Sequence, residues 1–184
     1  MAALFPRWAN TAARAILIAI ACVGIGIPIG LMAWVRTPNA TGRFAPVPQP
    51  VPFSHQLHAG RLQIDCRYCH FGVERSASAG MPPTATCVPC HNQVWMASRE
   101  LAPVRASLAG GKPIAWNRVH RLPDFVYFNH AIHVQKGVTC EECHGRVDQM
   151  ASVVQVAPLT MSWCVDCHRA RSAPRFTTCT TCHR

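Results

Sequence analysis

Cys66-Arg67-Tyr68-Cys69-His70 is the first of five copies of one pattern, Cys-x-x-Cys-His. The others are Cys87-Val88-Pro89-Cys90-His91, Cys140-Glu141-Glu142-Cys143-His144, Cys164-Val165-Asp166-Cys167-His168 and Cys179-Thr180-Thr181-Cys182-His183. This is the spacing of a c-type haem attachment site: two thioethers hold the porphyrin and the histidine that follows becomes an axial ligand of the iron. Cys-x-x-Cys pairs also build tetrahedral zinc sites and redox disulfides. Neither explains a histidine directly after every pair. The motifs use ten of the eleven cysteines and five of the ten histidines, so they read as five covalently attached haem c groups.

The 148 residues after Arg36 leave about thirty residues of protein for each haem. So little polypeptide cannot build an ordinary side-chain core, and the apolar haem faces must serve as one. Charged residues make up 14% and prolines number 15, which predicts little regular structure. The fold class expected is a multihaem cytochrome c: one N-terminal transmembrane helix, then a haem-packed, mostly irregular domain with a few short helices. The net charge of +10 invites a nucleic-acid or membrane-surface reading. No basic run is present, and five haems bring about ten propionate charges that arginine forks suit. Nucleic acid is therefore not an expected partner.

Residues 1–14 carry Arg7 and Arg14 and no acid, and read as a cytoplasmic N-terminus. Ala15 to Val35 is free of charge and long enough to cross a bilayer, at about 1.5 Å per residue against about 30 Å of hydrocarbon. Met32-Ala33-Trp34-Val35-Arg36 is a poor cleavage sequence, so 15–35 reads as an uncleaved anchor rather than a removed signal. Cys22 in the span belongs to no motif and reads as an apolar filler. Gly26 and Gly30 form a Gly-x-x-x-Gly pair there, open to helix contact or to plain glycine tolerance. Flanking arginines do not decide orientation. Haem attachment outside the cytoplasm does, and places the remainder in the periplasm of a cell with an inner membrane. Residues 36–52 are proline-rich and read as a stiff extended linker. Residues 53–184 form the pentahaem domain.

That domain carries an internal duplication. Phe53-Ser54-His55-Gln56-Leu57-His58 precedes the first motif and Phe128-Asn129-His130-Ala131-Ile132-His133 precedes the third. The units are 53–91 and 128–168, with a final lone site at 179–183. Between them, Asn92 to Leu122 reads as a helix and then a loop, broken at Gly110, Gly111 and Pro113.

Outside the motifs there are five histidines, His55, His58, His120, His130 and His133, as many as there are haems. All five are candidate distal iron ligands. The first of each His-x-x-His pair is expected on the haem whose motif follows, and the second on a different haem. Met150 and Met161 compete with them for one iron, since methionine raises a haem potential and histidine lowers it. Met81 and Met96 read as packing.

At these residues the chain resembles the pentahaem cytochrome subunit of alternative complex III, a bacterial quinol-oxidising assembly. The resemblance runs through Phe5-Pro6-Arg7-Trp8-Ala9-Asn10-Thr11, Ile64-Asp65-Cys66, Val119-His120-Arg121-Leu122-Pro123-Asp124-Phe125-Val126-Tyr127-Phe128-Asn129-His130 and Pro158-Leu159-Thr160-Met161. The Phe-x-His-x-x-His units also look like those of the cytochrome c3 and c7 families. One departure is the ten-residue spacer between His168 and Cys179, where that family carries a longer insertion. The resemblance implies an electron-transfer subunit with no catalytic residue of its own. Its implied partners are an iron–sulfur subunit, polytopic quinol-binding membrane subunits, a monohaem cytochrome c and a terminal oxidase. A stand-alone, membrane-anchored multihaem quinol dehydrogenase feeding a periplasmic reductase has the same layout, but its first haem lies close to the anchor, whereas 30 residues separate Val35 from Cys66 here. An enzyme with an open haem is disfavoured by the five spare histidines.

Overall fold

The computed structural model describes residues 6–172 and 174–183, so the start of the N-terminal segment, including Phe5, lies outside the described residues. The chain divides into two units, Met1–Gly42 and Arg43–Arg184.

The first unit is dominated by α1, Ala9–Trp34, whose 26 residues extend about 39 Å at about 1.5 Å each. It is long and apolar enough to cross a membrane. None of its side chains is buried, and Leu17, Ile18, Ile20, Val23, Ile25, Ile27, Ile29 and Leu31 all face outward. Such an all-round apolar surface needs an apolar surrounding. The helix starts before the uncharged run, so Arg14 lies within its first turns. Its end is set by polar capping: the Arg36 guanidinium donates to the Met32 carbonyl at 2.5 Å and the Thr37 hydroxyl to the Trp34 carbonyl at 2.8 Å. Pro38 then opens the single turn α2, Pro38–Thr41, which Gly42 closes at φ 69°.

The extended linker expected over 36–52 is therefore only partly realised. Residues 38–41 are helical, and the second unit begins at Arg43 rather than Phe53. The physical reason is backbone satisfaction. Arg43 Nε and Nη2 donate to the Val156 carbonyl at 2.9 and 2.5 Å, and the Phe44 amide donates to the Gln155 carbonyl at 3.0 Å. Gln49 and Asn117 exchange side-chain and backbone bonds at 2.8 and 2.9 Å, and Val51 is buried.

In the second unit the described residues contain no β-strand. A π-helical turn, Gln56–Arg61, is followed by α3 (Cys66–Cys69), α4 (Val88–His91), α5 (Ala102–Gly110), α6 (His130–Gln135), α7 (Cys140–His144), α8 (Met161–Ala170) and α9 (Cys179–Cys182). Most attachment motifs are thus one helical turn, which puts two thiols three residues apart on one side. Local capping builds these turns. Asp65 accepts from the Arg67 amide at 2.8 Å, the Glu142 carboxylate from the Thr139 amide at 2.9 Å, and the Thr160 hydroxyl from the Trp163 amide at 3.4 Å. The helix anticipated after Asn92 begins only at Ala102, with Pro103 in its first turn and Gly111 (φ 62°) ending it. Before it the chain turns at Trp95, at φ 59°.

The described apolar side chains that are buried are few and small: Val51, Val73, Val104, Ala131 and Ala157. Much of the remaining cohesion is backbone to backbone. The start of α6 is held to the loop after α3 by His130 and Ala131 amides on the Ala77 and Ser76 carbonyls, both at 3.1 Å. The π-turn lies against 147–150, with the Gln56 amide on the Met150 carbonyl at 2.9 Å. At that contact Gly60 has no room for a side chain, because a Cβ would run into the Asp148 carbonyl. Gly60→Ala is expected to lower the stability of the haem-loaded protein by about 1–3 kcal/mol. Thermal unfolding checks this, with Gly24→Ala, whose Cβ would meet nothing, as the silent control.

Candidate haem sites

A histidine serves as a metal ligand when one ring nitrogen is free and the other is pinned by a hydrogen bond that fixes ring and tautomer. Seven of the ten histidines have their Nδ1 against a backbone carbonyl, so that bond does not use Nε2. Among the motif histidines, His70 meets Gly80 at 2.8 Å, His91 meets Val94 at 3.2 Å, His168 meets Phe176 at 2.9 Å and His183 meets Phe125 at 3.1 Å. Outside the motifs, His58 meets Ser54 at 2.8 Å, His130 meets Ala77 at 2.8 Å and His133 meets Asn129 at 2.7 Å. These carbonyls are functional groups that sequence reading missed. Backbone oxygens carry no residue signature, so no pattern in the sequence could have found them.

The two Phe-x-His-x-x-His segments adopt one geometry. Phe53 stands edge-on to His55 at 4.8 Å and stacks on His58 at 4.2 Å; Phe128 stands edge-on to His130 at 4.8 Å and stacks on His133 at 4.4 Å. Each phenylalanine fixes the planes of both imidazoles. The segments differ in backbone, π-helical from Gln56 and α-helical from His130, and at the Nδ1 of His55, which is buried without a hydrogen-bond partner.

The structure then brings spare and motif histidines together in pairs. Ring centres are 6.1 Å apart for His58 and His91, 6.3 Å for His130 and His144, and 6.0 Å for His133 and His168. An iron bound to two imidazole nitrogens at about 2 Å each, with each nitrogen about 1 Å from its ring centre, sets the centres about 6 Å apart. His55 has His70 as its main charged neighbour, and burial chiefly, then His70 and His58, bring it down to about 4. His144 is likewise held at about 4, by burial first and then by His120, His130 and His70. Both are neutral at pH 7, the form that binds a metal.

His120 is placed differently. Its Nε2 lies 3.2 Å from the Nδ1 of His144, and the rings meet edge to face at 4.3 Å. The ring beside His183 is Phe125, at 5.7 Å, and no histidine ring contact with His183 occurs among the described residues. Met150 follows a 3-10 turn, half-buried; Met161 opens α8, three residues before Cys164, and is 72% exposed.

All eleven cysteines are free, Cys22 exposed on α1. Burial, the first cause in each case, raises the Cys66, Cys69, Cys87 and Cys164 thiols and takes Cys143 up to about 11. Burial thus makes these five thiols harder to ionise than a free cysteine. Among the described residues no three His, Cys, Asp or Glu side chains gather as a metal site. The next causes are neighbouring motifs: Cys140 acts on Cys66, Cys69 on Cys87, Cys167 on Cys143, and Cys182 on Cys164. Several arginines expected for propionates are engaged by the chain's own carboxylates, Arg67 with Asp65 and Glu74, Arg146 with Glu141 and Asp148, Arg169 with Asp166 and Arg171 with Glu142.

The residues fit haem. Paired free thiols, imidazoles pinned through Nδ1 and a nearly absent side-chain core all call for large apolar groups covalently held between the histidines. A long apolar N-terminal helix followed by an irregular unit of this kind defines a multihaem cytochrome c, a protein of electron transport. Residues 126–184 match the family described as cytochrome c7 and related cytochrome c. Over 122 residues the chain is 33% identical to the menaquinone reductase, multihaem cytochrome c subunit, of Nitratidesulfovibrio vulgaris (strain Hildenborough). That stretch is 65% of this chain and 56% of the relative, so the chain spans about half the length of the protein it matches.

A pyridine haemochrome assay on the purified protein is expected to return five haems per chain. Replacing both cysteines of any one motif by alanine is expected to reduce the count by one.

Proposed function

We propose that this chain is a membrane-anchored pentahaem electron relay in a quinone-linked respiratory complex, of the alternative complex III kind. The observation that carries this is the set of three imidazole pairs spaced 6.0–6.3 Å apart, the separation of two ligands on one iron. Irons closed on both faces by protein exchange electrons and bind no substrate. When bound, the haems supply one-electron redox chemistry; the chain supplies ligands, orientation and order.

The ligand assignment follows the pairs. They would put His58 and His91 on the second haem, His130 and His144 on the third and His133 and His168 on the fourth, and His55 with its electrostatic neighbour His70 would hold the first. His183 would hold the fifth, and Met161 is the candidate for its second protein ligand. Met161 begins the helix that carries Cys164, and Cys164 feels Cys182 of the fifth motif. The thiol neighbours order the motifs as second, first, third, fourth, fifth, so the ends of the relay are the second and fifth sites.

We further propose that α1 is an uncleaved anchor in the inner membrane, with Arg43–Arg184 in the periplasm. The partners would be an iron–sulfur subunit, polytopic quinol-binding subunits and a monohaem cytochrome c, with a terminal oxidase beyond. The similarity to a menaquinone reductase subunit supports a quinone-linked assembly and favours a second reading for the direction of flow, from a periplasmic donor toward menaquinone.

His133→Met is expected to raise the midpoint potential of one haem, the one held by Cys164 and Cys167, with five haems still attached. Spectroelectrochemical titration reads this, and loss of several haems would contradict the assignment. For the partners, the protein extracted from native membranes in mild detergent is expected to co-elute with iron–sulfur and polytopic subunits. Quinol oxidation by that complex supports the first direction, and menaquinone reduction by a reduced periplasmic cytochrome the second. Elution alone with quinol oxidation retained would overturn the complex and favour a stand-alone quinol dehydrogenase.

A further inference from the structure

The third site is built unlike the other four. His70, His91, His168 and His183 each place Nδ1 against a backbone carbonyl. His144 places its Nδ1 against a side chain, the Nε2 of His120, at 3.2 Å. His130 lies parallel to His144 to within 13°, at the 6.3 Å of an iron-bridged pair. The ring centres of His120 and His144 are 4.3 Å apart and nearly perpendicular, too close for an iron between them, and the Nε2 that would ligate is already engaged. Phe128 and the Ala77 carbonyl, which takes both the His130 amide and its Nδ1, hold His130 in place.

We propose that His120 is a positioning residue of the third haem site, not an axial ligand: its Nε2 accepts the Nδ1–H of His144 and makes His144 a stronger iron donor. This rests on the assignment of His130 and His144 to one iron. An imidazole lone pair is a better acceptor than an amide oxygen, so it draws the Nδ1 proton further and raises the basicity of the ligating Nε2. A more basic ligand stabilises the oxidised iron and lowers its potential. His120 thereby sets the third site apart at the middle of the relay, and the fifth site is left without a spare histidine.

The test uses the purified, haem-loaded full chain. His120→Ala is expected to keep five haems and an unchanged low-spin EPR envelope, while the midpoint potential of one haem rises. His120→Gln, whose amide oxygen restores an acceptor of the carbonyl kind, is expected to give a smaller rise. A new high-spin signal in His120→Ala, or potentials that do not move, overturns the proposal. His130→Ala is run beside it and is expected to create one high-spin haem; if all haems stay low-spin, the pairing of His130 with His144 is what has failed.

Discussion

The hydrogen bond from an imidazole Nδ1–H to a backbone carbonyl is the constraint on which the second unit depends. A histidine bound through one nitrogen is free to spin about its own side chain until the other nitrogen is fixed. Here the loops after the motifs return to supply that fixing oxygen, from Gly80, Val94 and Phe176, or it comes from far up the chain, as Phe125 does for His183. The course of each loop is thus dictated by where a carbonyl must arrive. That is why the unit is irregular without being arbitrary.

The second constraint is the scarcity of core. Among the described residues valines and alanines make up the buried apolar set, and none of the larger apolar residues joins it. Backbone bonds between the halves, such as those of α6 to Ser76 and Ala77, align the scaffold, and haem would supply the apolar mass. Local capping by Asp65, Glu142 and Thr160 forms the single helical turns that present thiols in pairs. Each turn is too short to persist alone.

Much of this was legible from residue order. Cys-x-x-Cys-His declares its chemistry, and the repeated Phe-x-His-x-x-His has the same ring geometry at both places because the same three side chains meet at the same spacing. The apolar run of α1 was equally plain, with only its ends displaced. What was not legible depends on backbone that comes from elsewhere. Arg43 and Gln49 look like linker until the Val156 and Asn117 carbonyls are seen beside them. His120 satisfies a count of spare histidines, yet its position against His144 follows from the path of the 111–129 loop, which no spacing encodes. The Asn92–Leu122 spacer shows the same limit, since the helix starts only at Ala102 and Trp95 takes a left-handed turn ahead of it.

The sequence distances of the imidazole bonds carry one more meaning, for a chain that is made and exported from its N-terminus. His70 waits ten residues for its carbonyl, His91 three and His168 eight. His58, His130, His133 and His183 find partners that precede them. No pinned imidazole depends on residues more than ten positions downstream, so each ring can be set almost as soon as it emerges. Maturation can therefore proceed site by site along the chain, with each finished segment forming the wall against which the next is assembled.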